Sequence, residues 1–119
     1  YSLLNNAYKT IYNVNIREWM AVLDQTDYII SVDTAAFHCA GGMKKPVLGI
    51  FTFVNSEVYG KYYPKKELVQ GHCPAGYFGC YNWGNCPFKD KLMLPCRESI
   101  NCDQIISSFE TLTTRFPVN

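Results

Sequence analysis

The stretch Asp27-Tyr-Ile-Ile-Ser-Val-Asp33-Thr34-Ala-Ala-Phe-His38-Cys-Ala-Gly-Gly-Met-Lys-Lys-Pro46-Val-Leu-Gly-Ile-Phe51 decides the fold of this 119-residue chain. Tyr28 to Val32 is a short, mostly apolar run without polar alternation, the pattern of a strand covered on both faces. It ends on an acid. Asp33 and Thr34 are both good helix N-caps, Ala35 to Ala40 suits a short helix, and Gly41-Gly42 supplies the flexible backbone that ends one. Val47 to Phe51 is a second apolar run, beginning behind Pro46. Strand, tight turn, short helix and strand thus follow in order, with about the dozen intervening residues that a parallel crossover needs. Asp33, Thr34 and the free amides of residues 34 to 36 then fall at the carboxyl end of a parallel strand. Open α/β sheets bind ligands there, and a helix N-terminus attracts phosphate.

Outward from this core, Ile16, Trp19, Met20 and Leu23 recur at helical spacing behind Asn15 and Glu18, which have the N-cap and N3 pattern of a capping box. One amphipathic helix ending near Gln25 is expected. Before it, residues 2–12 carry helical spacing, while Lys9 to Val14 fits a short strand equally well. After Phe51 no period of 2 or 3.6 persists, and residues 52–101 read as a long aromatic, Cys-rich loop in which Glu67 to Gln70 suits one short strand. Loops of that length inside compact domains tend to be functional or cross-linked. Asp103 to Thr113 closes the chain with Ile105, Ile106, Phe109 and Leu112 on one helical face, behind a second capping pattern, Asn101 with Gln104. The expectation is a single domain, residues 1–119, with a C-terminal helix over about 102–114.

An apolar fraction of 48% and a charged fraction of 18% belong to a globular chain. A net charge of +1, with no basic cluster larger than the pairs Lys44-Lys45 and Lys65-Lys66, gives no basic face for nucleic acid. No apolar run approaches the roughly 20 residues that span a bilayer, so no transmembrane segment is expected. Gly-x-Gly-x-x-Gly, P-loop, Gly-x-Ser-x-Gly and His-Glu-x-x-His motifs are all absent from the sequence.

Asp33 has two readings: a carboxylate that accepts hydrogen bonds from sugar hydroxyls while the following amides hold a diphosphate, or a plain helix cap. His38 lies about one helical turn from Thr34 and shares its face, which suits donation to a phosphate oxygen; the alternative is a core histidine bonded to a backbone carbonyl. Cys39 reads as a small buried hydrophobe. Tyr59, Tyr62, Tyr63 and Trp83 either cover the apolar face of a sugar or base or pack the loop onto the domain, and packing is the commoner use.

The order Ser31-Val-Asp33-Thr34-Ala-Ala-Phe-His38-Cys-Ala40, followed by Lys45-Pro46 and the apolar strand ending at Phe51, resembles the signature of glycosyltransferase family 9, the ADP-heptose lipopolysaccharide heptosyltransferases and their relatives. Asp33, Thr34, His38, Ala40, Lys45, Pro46 and Phe51 match it in register. Ala35 and Thr52 stand where the family commonly has glycine, which bears on how closely the backbone approaches a bound phosphate. A weaker echo runs through Cys96 to Ile105, with Cys102 in place of a proline. The resemblance implies an α/β, Rossmann-like parallel sheet with flanking helices, the C-terminal donor-binding half of an enzyme built from two such domains. It implies a nucleotide-diphosphate sugar as partner, transfer of a heptose-like sugar to a glycan or lipopolysaccharide-type acceptor, and no metal or other cofactor required for the chemistry. Asp33 would contact the donor's sugar or phosphates and Thr34 and the Ala35 amide the phosphate, with His38 and Thr52 in the same binding set. The general base would be an Asp on the N-terminal acceptor domain of the same enzyme. This chain would then bind donor without catalysing transfer by itself. The location implied is the cytoplasm, including the inner membrane surface.

Cys73, Cys80, Cys86, Cys96 and Cys102 are spaced C-x6-C-x5-C-x9-C-x5-C, with His72 adjoining the first. None of these is the C-x2-C knuckle typical of zinc sites. A structural zinc on Cys73, Cys80, Cys86 and Cys96 is the favoured reading, ahead of free buried thiols. Disulfides come last, because sugar-nucleotide donors belong to the reducing cytosol. A different class of function is a non-catalytic interaction module whose Cys-rich loop, tied by zinc or disulfides, is the docking surface. A secreted, disulfide-knotted domain is the third.

Overall fold

The main helices and the strands form where the sequence patterning places them. The computed structural model describes residues 9–76 and 86–118. Asn15 caps the first helix, α1 (Ile16–Gln25), through its side-chain oxygen on the amides of Arg17 and Glu18, while the Glu18 carboxylate returns to the Asn15 amide at 2.9 Å. The capping box is complete and satisfies amides that a helix start leaves unpaired. Residues 9–15 ahead of it are neither helix nor strand.

Three parallel strands follow: β1 (Ile29–Val32), β2 (Val47–Phe51) and β3 (Lys66–Gln70), in the spatial order β1-β2-β3. Ile29 pairs with Val47 and Val32 with Ile50; Val47 in turn pairs with Lys66 and Phe51 with Gln70. Between β1 and β2 the chain crosses through α2 (Ala35–Gly42), and between β2 and β3 through α3 (Ser56–Tyr59). After β3 come α4 (Pro95–Glu98) and α5 (Cys102–Arg115). The stretch after Phe51 holds the short strand expected at Glu67 to Gln70, as β3, and in addition two helical turns, α3 and α4, where a loop was expected.

Alternation along β2 builds two cores. Val47 and Phe51 face Phe37 and Ala40 of α2, with Ile29, Val54 and part of Leu23 closing that layer. Leu48 faces the other way, onto Val69 and Leu112, with Ile105, Phe109 and Tyr28 packed around them. The result is an α/β arrangement with helices on both faces of the sheet. α5 starts on the predicted cap, with Asn101 and Gln104 exchanging bonds of 2.9 Å. Its last turn is tied down by an Arg115 to Glu67 ion pair. The Tyr28 hydroxyl, donating to the Phe116 carbonyl at 2.8 Å, fixes the chain just beyond. Ile106, expected on the buried face, is 55% exposed.

Two further expectations are corrected. β1 is not covered on both faces: Ile29 and Ser31 are buried, but Ile30 and Val32 are more than half exposed. They share the face of Leu48 and Ile50, which α5 covers only farther along, because α5 packs over β2 and β3. And Gly41-Gly42 do not end α2; the helix runs through both to a C-cap at Met43. Gly41 is instead a contact residue, since a Cβ added there would lie 2.4 Å from the Tyr63 ring.

The helix closes by a Schellman motif one step later than the glycines, with the Lys45 amide on the Ala40 carbonyl and the Lys44 amide on the Gly41 carbonyl. That places Lys44, rather than a glycine, in the left-handed region at φ 59°. A side chain there costs roughly 1–2 kcal/mol, offset in part by the roughly 0.5–1 kcal/mol of extra backbone freedom that glycine loses on folding. Lys44→Gly is therefore expected to raise stability by about 0.5–1 kcal/mol, read as a higher urea midpoint at unchanged slope; a lower midpoint contradicts the motif.

Candidate functional site at the carboxyl end of the sheet

Parallel strands deliver their last residues to one rim, and here that rim borders a cleft of about 480 Å³. Asp33 reaches it from the end of β1 and Thr52 from the end of β2, while Arg97 reaches it from α4. Val32, Ile50, Phe53, Val54 and Ile100 form the apolar wall. A few convergent polar groups against an apolar wall is the usual make-up of a small-molecule site. A second hollow, of about 490 Å³, lies at the opposite ends of the strands and mixes Asp24 and Asp27 with Lys44, Lys45 and Lys65. In an open parallel sheet the carboxyl ends are the ligand-binding ones, so the first cleft is the candidate.

Asp33 does not cap α2. The N-cap is Thr34, and it makes no side-chain cap bond. Its hydroxyl is turned back to the strand, 3.0 Å from Ser31 Oγ and 3.4 Å from the Val32 carbonyl. Thr34 and Ala35 are exposed, so the first amides of α2 are left without a side-chain acceptor at a solvent-facing helix start. Anions are favoured at such a place by the helix dipole and by the unpaired N–H groups. Asp33 and Thr52 line the cleft; Thr34, Ala35 and His38 lie beside Asp33 on the start of α2 and are not among its lining residues.

The His38 side chain is only half-buried, and among the described residues it bonds to other side chains rather than to a backbone carbonyl. Its Nδ1 is 2.7 Å from the Tyr63 hydroxyl and its Nε2 3.5 Å from Asp33 Oδ1. The side chains of His38 and Asp33 are 41% and 25% exposed, so the pair is open to solvent on one side.

The β2 side of the rim is held by Gln70 at the end of β3. Its amide nitrogen donates to the carbonyls of Thr52, at 2.9 Å, and Gly71, at 3.2 Å, while its oxygen accepts from the amide of the buried Ser56 at 2.9 Å. The α4 side is held by interlocking backbone. The Ser99 hydroxyl accepts from the His72 amide at 2.7 Å and donates to the Cys96 carbonyl at 3.0 Å. Gly71 sits so close that an added Cβ would be 2.0 Å from that same carbonyl oxygen. Arg97 is the cleft residue that sequence reasoning missed, because it lies 64 positions after Asp33 in a stretch without periodic signal. The short cap of Leu94 and Pro95 before Cys96-Arg97-Glu98 was the available sign of a helical turn.

A model of glycosyltransferase family 9 (heptosyltransferase) matches residues 5–76, which takes in α1, the whole parallel sheet, Asp33, Thr34, His38 and Thr52. The chain belongs to glycosyltransferase family 9. No curated protein and no solved structure gives a match to it. The family match ends ahead of Arg97 and most of the cysteines, so α4 and α5 lie outside the matched span. A glycosyltransferase role and a sugar-donor partner fit both the family and the parallel α/β sheet. No helix among the described residues is long and apolar enough to cross a membrane.

The zinc expectation falls partly outside the described residues, since Cys80 is one of its four ligands. Cys73 and Cys86 carry free thiols, and these two and Cys96 are of intermediate burial. Among the described residues no group of three or more His, Cys, Asp or Glu side chains is close enough to hold a metal. Those present do not by themselves make a zinc site. Cys39 is half-buried rather than sealed in the core. Of the aromatic candidates, Tyr62 is 82% exposed and Tyr59 partly so, Tyr63 packs inward against Phe37, and Trp83 lies outside the described residues.

Proposed function

We propose that the cleft at the carboxyl ends of β1 and β2 holds the nucleotide-diphosphate sugar of a family 9 glycosyl transfer, and that this chain is the donor-binding, Rossmann-like C-terminal half of such an enzyme. The observation that carries the reading is the Asp33 carboxylate lining a cleft at the rim of a parallel sheet, next to a helix start whose amides have no side-chain cap. In this arrangement Asp33 accepts from sugar hydroxyls, and the apolar wall of Val32, Ile50 and Phe53 covers the flat face of the base or sugar. The first amides of α2, with Thr34 and Ala35, take phosphate oxygens, joined by Thr52 and by the Arg97 guanidinium, whose fork suits a phosphate.

As the bond between the anomeric carbon and the diphosphate oxygen breaks, negative charge grows on the leaving group. Fixed N–H dipoles and Arg97 stabilise that charge more in the transition state than in the ground state, which is what accelerates the step. The acceptor hydroxyl and the base that takes its proton are assigned to an acceptor-binding half, and the sugar is assigned as heptose-like because the family is that of the heptosyltransferases. In this reading the chain works in the cytoplasm, where nucleotide sugars are found.

Heat stability in the presence of ADP-, GDP- and UDP-sugars and the free nucleotides tests the reading. A ligand at 100 times its Kd stabilises the folded chain by about 2.7 kcal/mol. The expected result is a shift with at least one nucleotide diphosphate that shrinks in Arg97→Ala. No shift with any of them at saturating concentration overturns the donor site in favour of a non-catalytic interaction module.

A further inference from the structure

Tyr63, His38 and Asp33 stand in one row, from the turn after α3 across α2 to the rim of β1. The tyrosine ring is held in place, lying on Gly41 where no Cβ fits and 5.2 Å from the Phe37 ring. Its hydroxyl is thereby fixed 2.7 Å from His38 Nδ1. A carboxylate only accepts hydrogen bonds, so the favourable state of the 3.5 Å approach between Nε2 and Asp33 has the proton on Nε2. In the neutral imidazole that leaves a bare lone pair on Nδ1, and the Tyr63 hydroxyl donates to it.

We propose that Tyr63 is a positioning residue for the donor site. By donating to Nδ1 it keeps His38 in the Nε2–H tautomer. His38 then holds one carboxylate oxygen of Asp33, and the other is left for the ligand in the cleft. Tyr63 does not line the cleft itself and acts only through His38. The role rests on the donor-site reading above, but its first step, the tautomer, is measurable without any ligand.

The chain has two histidines, His38 and His72, so multiple-bond proton–nitrogen spectra report each ring's tautomer separately. Wild-type His38 is expected as Nε2–H. Tyr63→Phe keeps the ring on Gly41 and removes the donor, so His38 is expected to gain the Nδ1–H form while His72 stays unchanged. Affinity for the nucleotide sugar giving the largest thermal shift should fall about three- to tenfold, the worth of one hydrogen bond. His38→Gln, whose amide reaches about where Nε2 stood, should bind that donor more tightly than His38→Ala, a rescue that loss of packing alone does not produce. An Nδ1–H tautomer in the wild type, or a His38 spectrum unmoved by Tyr63→Phe, overturns the proposal. If the wild type binds donor and Tyr63→Phe binds it equally well, the positioning role fails alone. If the wild type binds no nucleotide sugar, the donor site fails and the positioning role falls with it.

Discussion

Phe37→Ala is expected to remove about 3–5 kcal/mol of folding stability, the usual loss when a buried phenylalanine is truncated. Phe37 is fully buried. Its ring meets Phe51 edge-on at 4.9 Å and Tyr63 at 5.2 Å, so the truncation empties the centre of the layer between α2 and the sheet. Two aromatic pairings, each worth roughly 0.5–1.5 kcal/mol beyond burial, go with it. Domains of this size keep only about 5–15 kcal/mol in total. The variant should therefore show a urea midpoint lowered by about a fifth or more at unchanged slope, with Phe37→Leu losing less than half as much. A loss under about 1 kcal/mol would mean that the layer collapses around the hole or that the ring is not enclosed.

Asp33→Asn carries the largest functional effect. The amide keeps the size and the place of the side chain while removing its charge, and one of its two heads becomes a donor. Hydrogen bonds to a charged group contribute roughly 1.5–3 kcal/mol, so donor affinity should fall about 10- to 100-fold. Folding stability should move far less, because Asp33 caps nothing and a quarter of its side chain is in solvent. Calorimetric titration with a nucleotide sugar and with the matching nucleoside diphosphate separates its role: a loss confined to the sugar nucleotide assigns Asp33 to sugar hydroxyls. Equal affinity of variant and wild type for both ligands removes Asp33 from the site.

The fold was legible wherever local rules and burial agree. Asn15 with Glu18 and Asn101 with Gln104 marked two helix starts that the structure reproduces to the residue, because a capping box needs only neighbours in sequence. Val47 to Phe51 was legible as a strand because it is covered on both sides. The same logic failed at Ile30 and Val32, whose exposure depends on how far a distant helix reaches over the sheet, which apolar composition does not reveal. It failed at Gly41 as well. A glycine pair reads as a helix end, but this one makes room for a tyrosine 22 positions later.

At the site, the cluster near Asp33 was legible because one turn of helix brings it together. The place of Arg97 and the bond from Tyr63 to His38 were not, for each is made by tertiary packing. The side chains that complete the row and the far wall of the cleft come from two connections whose sequence carries no period.

The turn bearing Arg97 is fastened to the end of β3 by a serine hydroxyl shared between two backbone groups and by a carbonyl pressed onto Gly71. The cleft is thus pre-organised: an arriving anion meets a wall already standing, and only the long arginine side chain has to settle. Immobilising one such side chain costs about 0.5–1.5 kcal/mol, whereas ordering a whole segment costs roughly 1–2 kcal/mol for every residue fixed. In the proposed donor site, recognition is then docking onto a rigid bracket rather than folding around the guest.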